Sequence, residues 1–360
     1  MRPLLRVQQA PEIALTRDDR VLIGPGDRWS YRFSVRTTIV VFALLVVLAV
    51  VFVASLLLGE FRVTIPDLID TLFGRPPSRL TEFFVMDRRM PRVLVAMTVG
   101  AALATAGAVF QHLTRNPLAS PDILGVSNGA SVGAVIVIVV LGGSLDQAAL
   151  GAAIGALVAA ATIMLLTIRT GLHGVQLILV GVAIAAIGTA VVDYILTQVF
   201  VASAVTAQTW LIGTLQGAEW GDLTPVCAAL GVVVVVLAAL GPDTRVAELG
   251  DATAAALGVR TVRHRWVLLT VATILVAAGV AVGGPIAFVA LVAPHIARSL
   301  CRRTSFLAAA LTGALILSVA DLIALYAFRV PIPVGAVTIS VGGVFFLWIL
   351  IREGVRPRGN

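Results

Sequence analysis

Apolar runs of one recurring length divide this chain. A helix needs about 20 apolar residues to cross the hydrocarbon core of a bilayer. Runs of that kind stand at 37–58, 93–111, 124–142, 148–168, 176–198, 224–241, 266–283, 305–323 and 333–351. A tenth, 284–300, is shorter and is broken by Pro285 and Pro294. Periodicity leaves it open between a crossing and a re-entrant segment; counted as a crossing, it makes ten. Hydrophobic residues form 59% of the chain and charged residues 12%, about half the charged share of a soluble domain. A water-soluble fold cannot hide that much apolar surface, so the expected fold is an all-α integral membrane protein of about ten transmembrane helices.

Arginine sets the orientation. With the N-terminus inside, the inner segments hold nineteen arginines and the outer ones seven: Arg62, Arg75, Arg79, Arg88, Arg89, Arg92 and Arg329. Positive loops stay cytoplasmic, so both termini are expected inside. The inner count includes Arg115, Arg169 and four in the loop 242–265. Residues 1–36 are polar and Arg-rich, with no apolar core of a signal peptide, and read as a cytoplasmic tail; 353–360 reads as a second one.

Several chemistries are excluded. The chain contains no Lys, so it carries neither a phosphate-binding P-loop nor a Schiff-base nucleophile. The net charge of +7 is spread between apolar runs rather than gathered into a patch, which argues against nucleic acid. His112, His173, His264 and His295 are scattered, and no cluster has metal-ligand spacing. Cys227 and Cys301 are expected near opposite membrane faces as free thiols.

Glycine spacing predicts close helix contacts. Gly125, Gly129 and Gly133 recur every four residues, and Gly151 and Gly155 repeat the pattern. Small residues so placed let backbones approach where lipid supplies no hydrophobic drive between helices. Two carboxylates fall inside predicted spans. A charge in lipid is costly and seldom idle. Asp193 reads either as a pathway group or as a carboxylate bonded to polar neighbours. Asp321, near the outer end of its helix, is better read as the second.

Three segments are more patterned than plain spans. Arg88-Arg89-Met90-Pro91-Arg92 precedes the second span. Arg89 and Arg92, three apart, can present guanidinium forks to carboxylates of an outside partner, or reach to lipid phosphates; residue physics alone favours lipid. The run 111–126, with Asn116-Pro117-Leu118-Ala119-Ser120-Pro121-Asp122, reads as a tight inner turn. The inner loop 242–265 contains Glu248-Leu249-Gly250-Asp251 and an Ala-rich centre that predicts a short helix stopped at Gly258.

Together these segments resemble the FecCD family of ABC importer permeases. The resemblance rests on R-M-P-R and N-P-L-A-S-P-D-I-L-G-V between Arg89 and Val126, on G-P-I-A-F-V-A-L-V-A-P-H-I-A-R from Gly284 to Arg298, and on P-V-G-A-V-T from Pro333. It spans 37–352, and its later segments are most similar to ferric-enterobactin permease subunits. It implies a type II importer permease of the bacterial cytoplasmic membrane. Such a subunit pairs with a second FecCD-like permease, expected here as a heterodimer. Two ATPase subunits sit below, holding ATP and Mg, and a siderophore-binding protein docks above. The chain itself would then be no enzyme and bind no cofactor or metal; ferric siderophore would cross as a chelate. The resemblance assigns docking to Arg88, Arg89, Arg92 and Arg329, the last standing in where relatives carry Arg and this chain has Leu325. It assigns ATPase coupling to Glu248, Leu249, Gly250, Asp251, Ala255, Leu257 and Gly258. Haem or cobalamin are alternative cargoes, and an ion-coupled secondary transporter using Asp193 and Asp321 is the alternative from another class.

Overall fold

The computed structural model describes residues 6–8, 18–23, 30–167, 174–199 and 201–354. Arg169, His173, most of the tail before residue 30, and 355–360 of the C-terminal tail lie outside them. In place of a plain tail, the described N-terminal residues form a three-stranded antiparallel sheet of β1 (Arg6–Gln8), β2 (Asp19–Ile23) and β3 (Ser30–Ser34). Alternating residues such as Ser30-Tyr31-Arg32-Phe33 suit a strand. Ser34 ends β3 and caps α1 (Val35–Leu57), its hydroxyl accepting from the Thr37 amide at 3.4 Å.

The rest is helical. Two short helices, α2 (Ile65–Leu72) and α3 (Arg79–Glu82), follow α1. A π-helical stretch, Phe83–Arg89, leads without a break into α4 (Met90–Thr114). Then come α5 (Val126–Val135, extended by a π turn to Val140), α6 (Leu145–Thr167), α7 (Gly174–Thr197), α8 (Val201–Ile212) and α9 (Trp220–Ala239). The inner loop holds α10 (Gly241–Ala247) and α11 (Asp251–Ala256). Finally come α12 (Thr261–Gly283), α13 (Val289–Cys301), α14 (Phe306–Tyr326) and α15 (Val334–Gly354).

Among the described residues, seven of these helical stretches are long and apolar enough to cross a membrane, and three shorter apolar ones, 126–140, 289–301 and 334–349, stand where the other three expected crossings fall. The broken stretch 284–300 resolves into five non-helical residues and α13. Gly284 (φ 68°) and Pro285 stop α12, and Phe288 (φ 68°) restarts the chain in a left-handed conformation. Thirteen residues of α13 rise only about 20 Å, less than the hydrocarbon thickness.

α4 is the axis. In its apolar window 78% of residues are buried, against 11% for α1. Glycine makes the close contacts. A Cβ on Gly100 would collide with the Gly313 carbonyl of α14, and one on Gly107 with the Ala290 carbonyl of α13. Gly129 and Gly133 lie against Gly151 and Gly155, so the predicted pattern joins α5 to α6. Gly125 departs from it: at φ 75° it precedes α5 and meets Gly181 of α7.

Candidate functional site: the two ends of the central helix

At its outer end α4 carries the arginine cluster. The π stretch widens one turn just before Met90, and Arg88, Arg89 and Arg92 leave the helix in different directions. Arg88 is exposed, its guanidinium 5.3 Å from the Phe83 ring. Arg89 turns back to α1. It donates to the carbonyls of Leu56 (2.7 Å), Leu57 (3.3 Å) and Phe61 (2.5 Å). The last carbonyls of a helix have no partner within it, so a cation there satisfies both hydrogen bonding and dipole. Gly59, at φ 152°, leaves room for this guanidinium, which any Cβ would strike.

Arg92 crosses to α14. Its Nε and Nη2 donate to the two carboxylate oxygens of Asp321, each at 2.8 Å. The two side chains are 18% and 7% exposed. Asp321 is therefore the bonded helix-end carboxylate expected, with a partner 229 residues away that no local pattern marks. Arg89 and Arg92 were expected to reach an outside partner or lipid phosphates; here both guanidiniums are engaged within the chain, because π winding and two neighbouring helices offer carbonyls and a carboxylate. The two arginines and Asp321 line, with Arg88, Ser55 and Tyr326, a crevice of about 190 Å³. Tyr326 donates to the Leu58 carbonyl at 3.0 Å. Arg329 is exposed on the loop after α14.

At its inner end α4 meets the loop 242–265. Arg115, left-handed at φ 51°, closes the helix. Its Nη2 donates to Asp251 Oδ1 at 2.7 Å and to the Ala247 carbonyl at 3.3 Å. Arg265 of α12 donates to the other oxygen of Asp251 at 2.6 Å. His112 Nδ1 lies 4.0 Å from Glu248 Oε1. The predicted Ala-rich helix is α11, and Gly258 follows it at φ 89°. Ala254 and Val259 are buried, while Leu249 (65% exposed) and Leu257 (63%) flank α11 as apolar knobs without cover. Gly250, at φ 109°, makes the bend before α11; Ala255 is exposed.

Between the ends lie residues that sequence reasoning passed over. The Asp122 carboxylate is buried in the turn before α5. It accepts from the Ser127 hydroxyl at 2.7 Å and from the Phe288 amide at 3.4 Å. Ser127, five residues on, was the one local signal. Gln111 joins α13 by donating to the Leu291 carbonyl at 3.1 Å and accepting from Arg298 at 2.8 Å. Asp193, by contrast, is exposed on the membrane-spanning part of α7, beside exposed Tyr194. Cys227 is exposed and Cys301 buried, both free.

Comparison with known proteins agrees with this architecture. The FecCD transport family matches residues 47–352. Over 298 residues the chain is 39% identical to the ferric enterobactin transport system permease protein FepG of Escherichia coli, covering 82% of this chain and 90% of that one. It is 36% identical to the achromobactin transport system permease protein CbrC of Dickeya dadantii, over 93% of this chain and 97% of that one. The cobalamin import system permease protein BtuC of Halobacterium salinarum is 38% identical, over 79% and 77%. A solved metal-chelate type ABC transporter in an inward-facing conformation superposes with TM-score 0.78 at 26% identity, over 87% of this chain and 98% of that one.

Proposed function

We propose, from the premise that this chain belongs to the FecCD transport family, that it is the permease subunit of an ATP-driven importer of ferric siderophores. It receives the chelate from a binding protein outside and releases it to the cytoplasm by alternating access. One observation carries this reading: the similarity to FepG and CbrC covers 82% and 93% of this chain.

The parts divide as follows. The outer face presents Arg88 and Arg329 to an acidic partner, with Arg89 and Arg92 set just behind them. Opposite charge speeds encounter and fixes register more than it adds affinity. The inner loop offers Leu249 and Leu257 to an ATPase subunit, which binds ATP and Mg; the absence of Lys from this chain supports a separate ATPase. Glu248, Gly250, Asp251, Ala255 and Gly258 shape that segment. A second permease subunit supplies the other wall of a central path. Asp193 belongs on that wall, because a charge within a span faces protein or a water-filled cavity rather than acyl chains. Iron crosses inside its chelator.

The test is uptake into proteoliposomes containing this chain, a second permease subunit and the ATPase, with binding protein and labelled ferric siderophore outside. Uptake that requires both ATP and binding protein is expected. Uptake of cobalamin but of no siderophore would keep the architecture and change the cargo, a reading the halobacterial relative supports. Uptake indifferent to ATP would overturn the proposal in favour of ion coupling through Asp193.

A further inference from the structure

We infer that α2 is an interfacial anchor whose partner is the outer lipid surface of the bilayer. α2 is too short to cross: eight residues rise about 12 Å. Its sequence divides into three arcs. Leu68 and Thr71 are buried, and Leu68 packs in a cluster with Leu56, Val85, Met90 and Val93. Ile65, Ile69, Leu72 and Phe73 recur at the i, i+4, i+7 and i+8 spacing of one helix face, yet are 61%, 48%, 47% and 80% exposed. Asp67 and Asp70 occupy the remaining arc.

Two observations choose the occupant. The first is continuity. α1 exposes Phe42, Val46, Val50 and Val53 along its length, a row that only lipid or another apolar surface can meet. Leu58, just past its outer end, is also exposed, and a short loop with exposed Glu60 and Arg62 leads from it to Ile65, where the apolar row of α2 begins. The second is charge. The arc that α2 turns away from its apolar row carries two carboxylates. An acidic protein attracted to Arg88 and Arg329 would be repelled by them, whereas water above a headgroup layer accepts them. An amphipathic helix with one apolar row and one anionic arc, lying where a span leaves the bilayer, has the form of a surface-lying segment.

The consequence reaches α4. The cluster under Leu68 includes Met90 and Val93, which flank Arg92. Anchoring α2 in the interface therefore fixes the height of the arginine crevice above the membrane.

Site-directed spin labelling tests this. Cys227→Ser removes the exposed native thiol, and Cys301 is buried. Nitroxides are placed singly by Ile69→Cys, Phe73→Cys and Asp70→Cys in the full chain. The chain is reconstituted into vesicles of phosphatidylethanolamine and phosphatidylglycerol. Labels at 69 and 73 are expected to collide several-fold more with dissolved oxygen than with a water-soluble nickel chelate, and the label at 70 to show the reverse. Equal nickel access at all three positions would overturn the inference. So would protection at 69 and 73 that appears only when binding protein or a second permease subunit is added, since that would give the face to a protein.

Discussion

The two ends of α4 hold arginine by opposite means. Outside, Arg89 and Arg92 are fixed by three carbonyls and a paired carboxylate, in partly buried surroundings. Inside, Arg115 shares Asp251 with Arg265, and both Arg115 and Asp251 are about half exposed. Low-dielectric pairs resist salt and fix geometry, whereas exposed ones are weak and screened. The outer end is thus a rigid frame joining α1, α4 and α14. The inner end is a lightly held contact, in which α11 rests on the small buried residues Ala254 and Val259 and a shared carboxylate. An element that must move with a partner is drawn from the less stable parts of a fold.

The sharpest way to break the contrast is Asp321→Ala. It leaves the Arg92 charge without its partner, and a loss of ~3–5 kcal/mol is expected, read as thermal unfolding in detergent. Arg92→Met combined with Asp321→Leu should recover most of it; failure to recover would mean the pair does more than neutralise itself. Next is Arg89→Ala, which strips the end of α1 of its donor and should cost about 1.5–3 kcal/mol in the same measurement. At the inner end, Asp251→Ala should change stability by less than about 1 kcal/mol, with an effect that fades in high salt, while ATP-driven uptake falls. A stability loss there as large as that of Asp321→Ala would erase the distinction.

The smallest effect concerns α2. Asp67 accepts from the Thr64 hydroxyl and amide in a capping box, and these bonds hold its carboxyl below the usual range. A depressed folded-state pKa means that the cap contributes above the unfolded value and is lost as pH falls through the folded one. The mobility of a nitroxide at position 69 should therefore rise on acidification, and Asp67→Asn should flatten that response.

Much of this was legible in sequence because bilayer physics is local. Length and apolarity gave the crossings, glycine spacing gave the α5–α6 contact, and the Ala-rich loop with Gly258 gave α11. The N-terminal sheet was not among the expectations, since strands of three to five residues are too short for alternation to stand out in an Arg-rich segment. The partners of Arg89 and Arg92 were not legible, because the α1 carbonyls and Asp321 that hold them lie on other helices and a π stretch ends at Arg89. Asp122 went unread because a turn rich in proline looks complete without a buried carboxylate.

That this chain lives in a membrane, and roughly where its long apolar helices lie, was readable from neighbouring residues and the thickness of the bilayer. Tertiary structure decided which charges meet. Arg92 and Asp321 are 229 residues apart, and Arg115 finds Asp251 136 residues away. Pairings at such distances follow from helix packing, set by glycine contacts such as Gly100 on Gly313, and no stretch of chain short enough to read as a motif contains both partners.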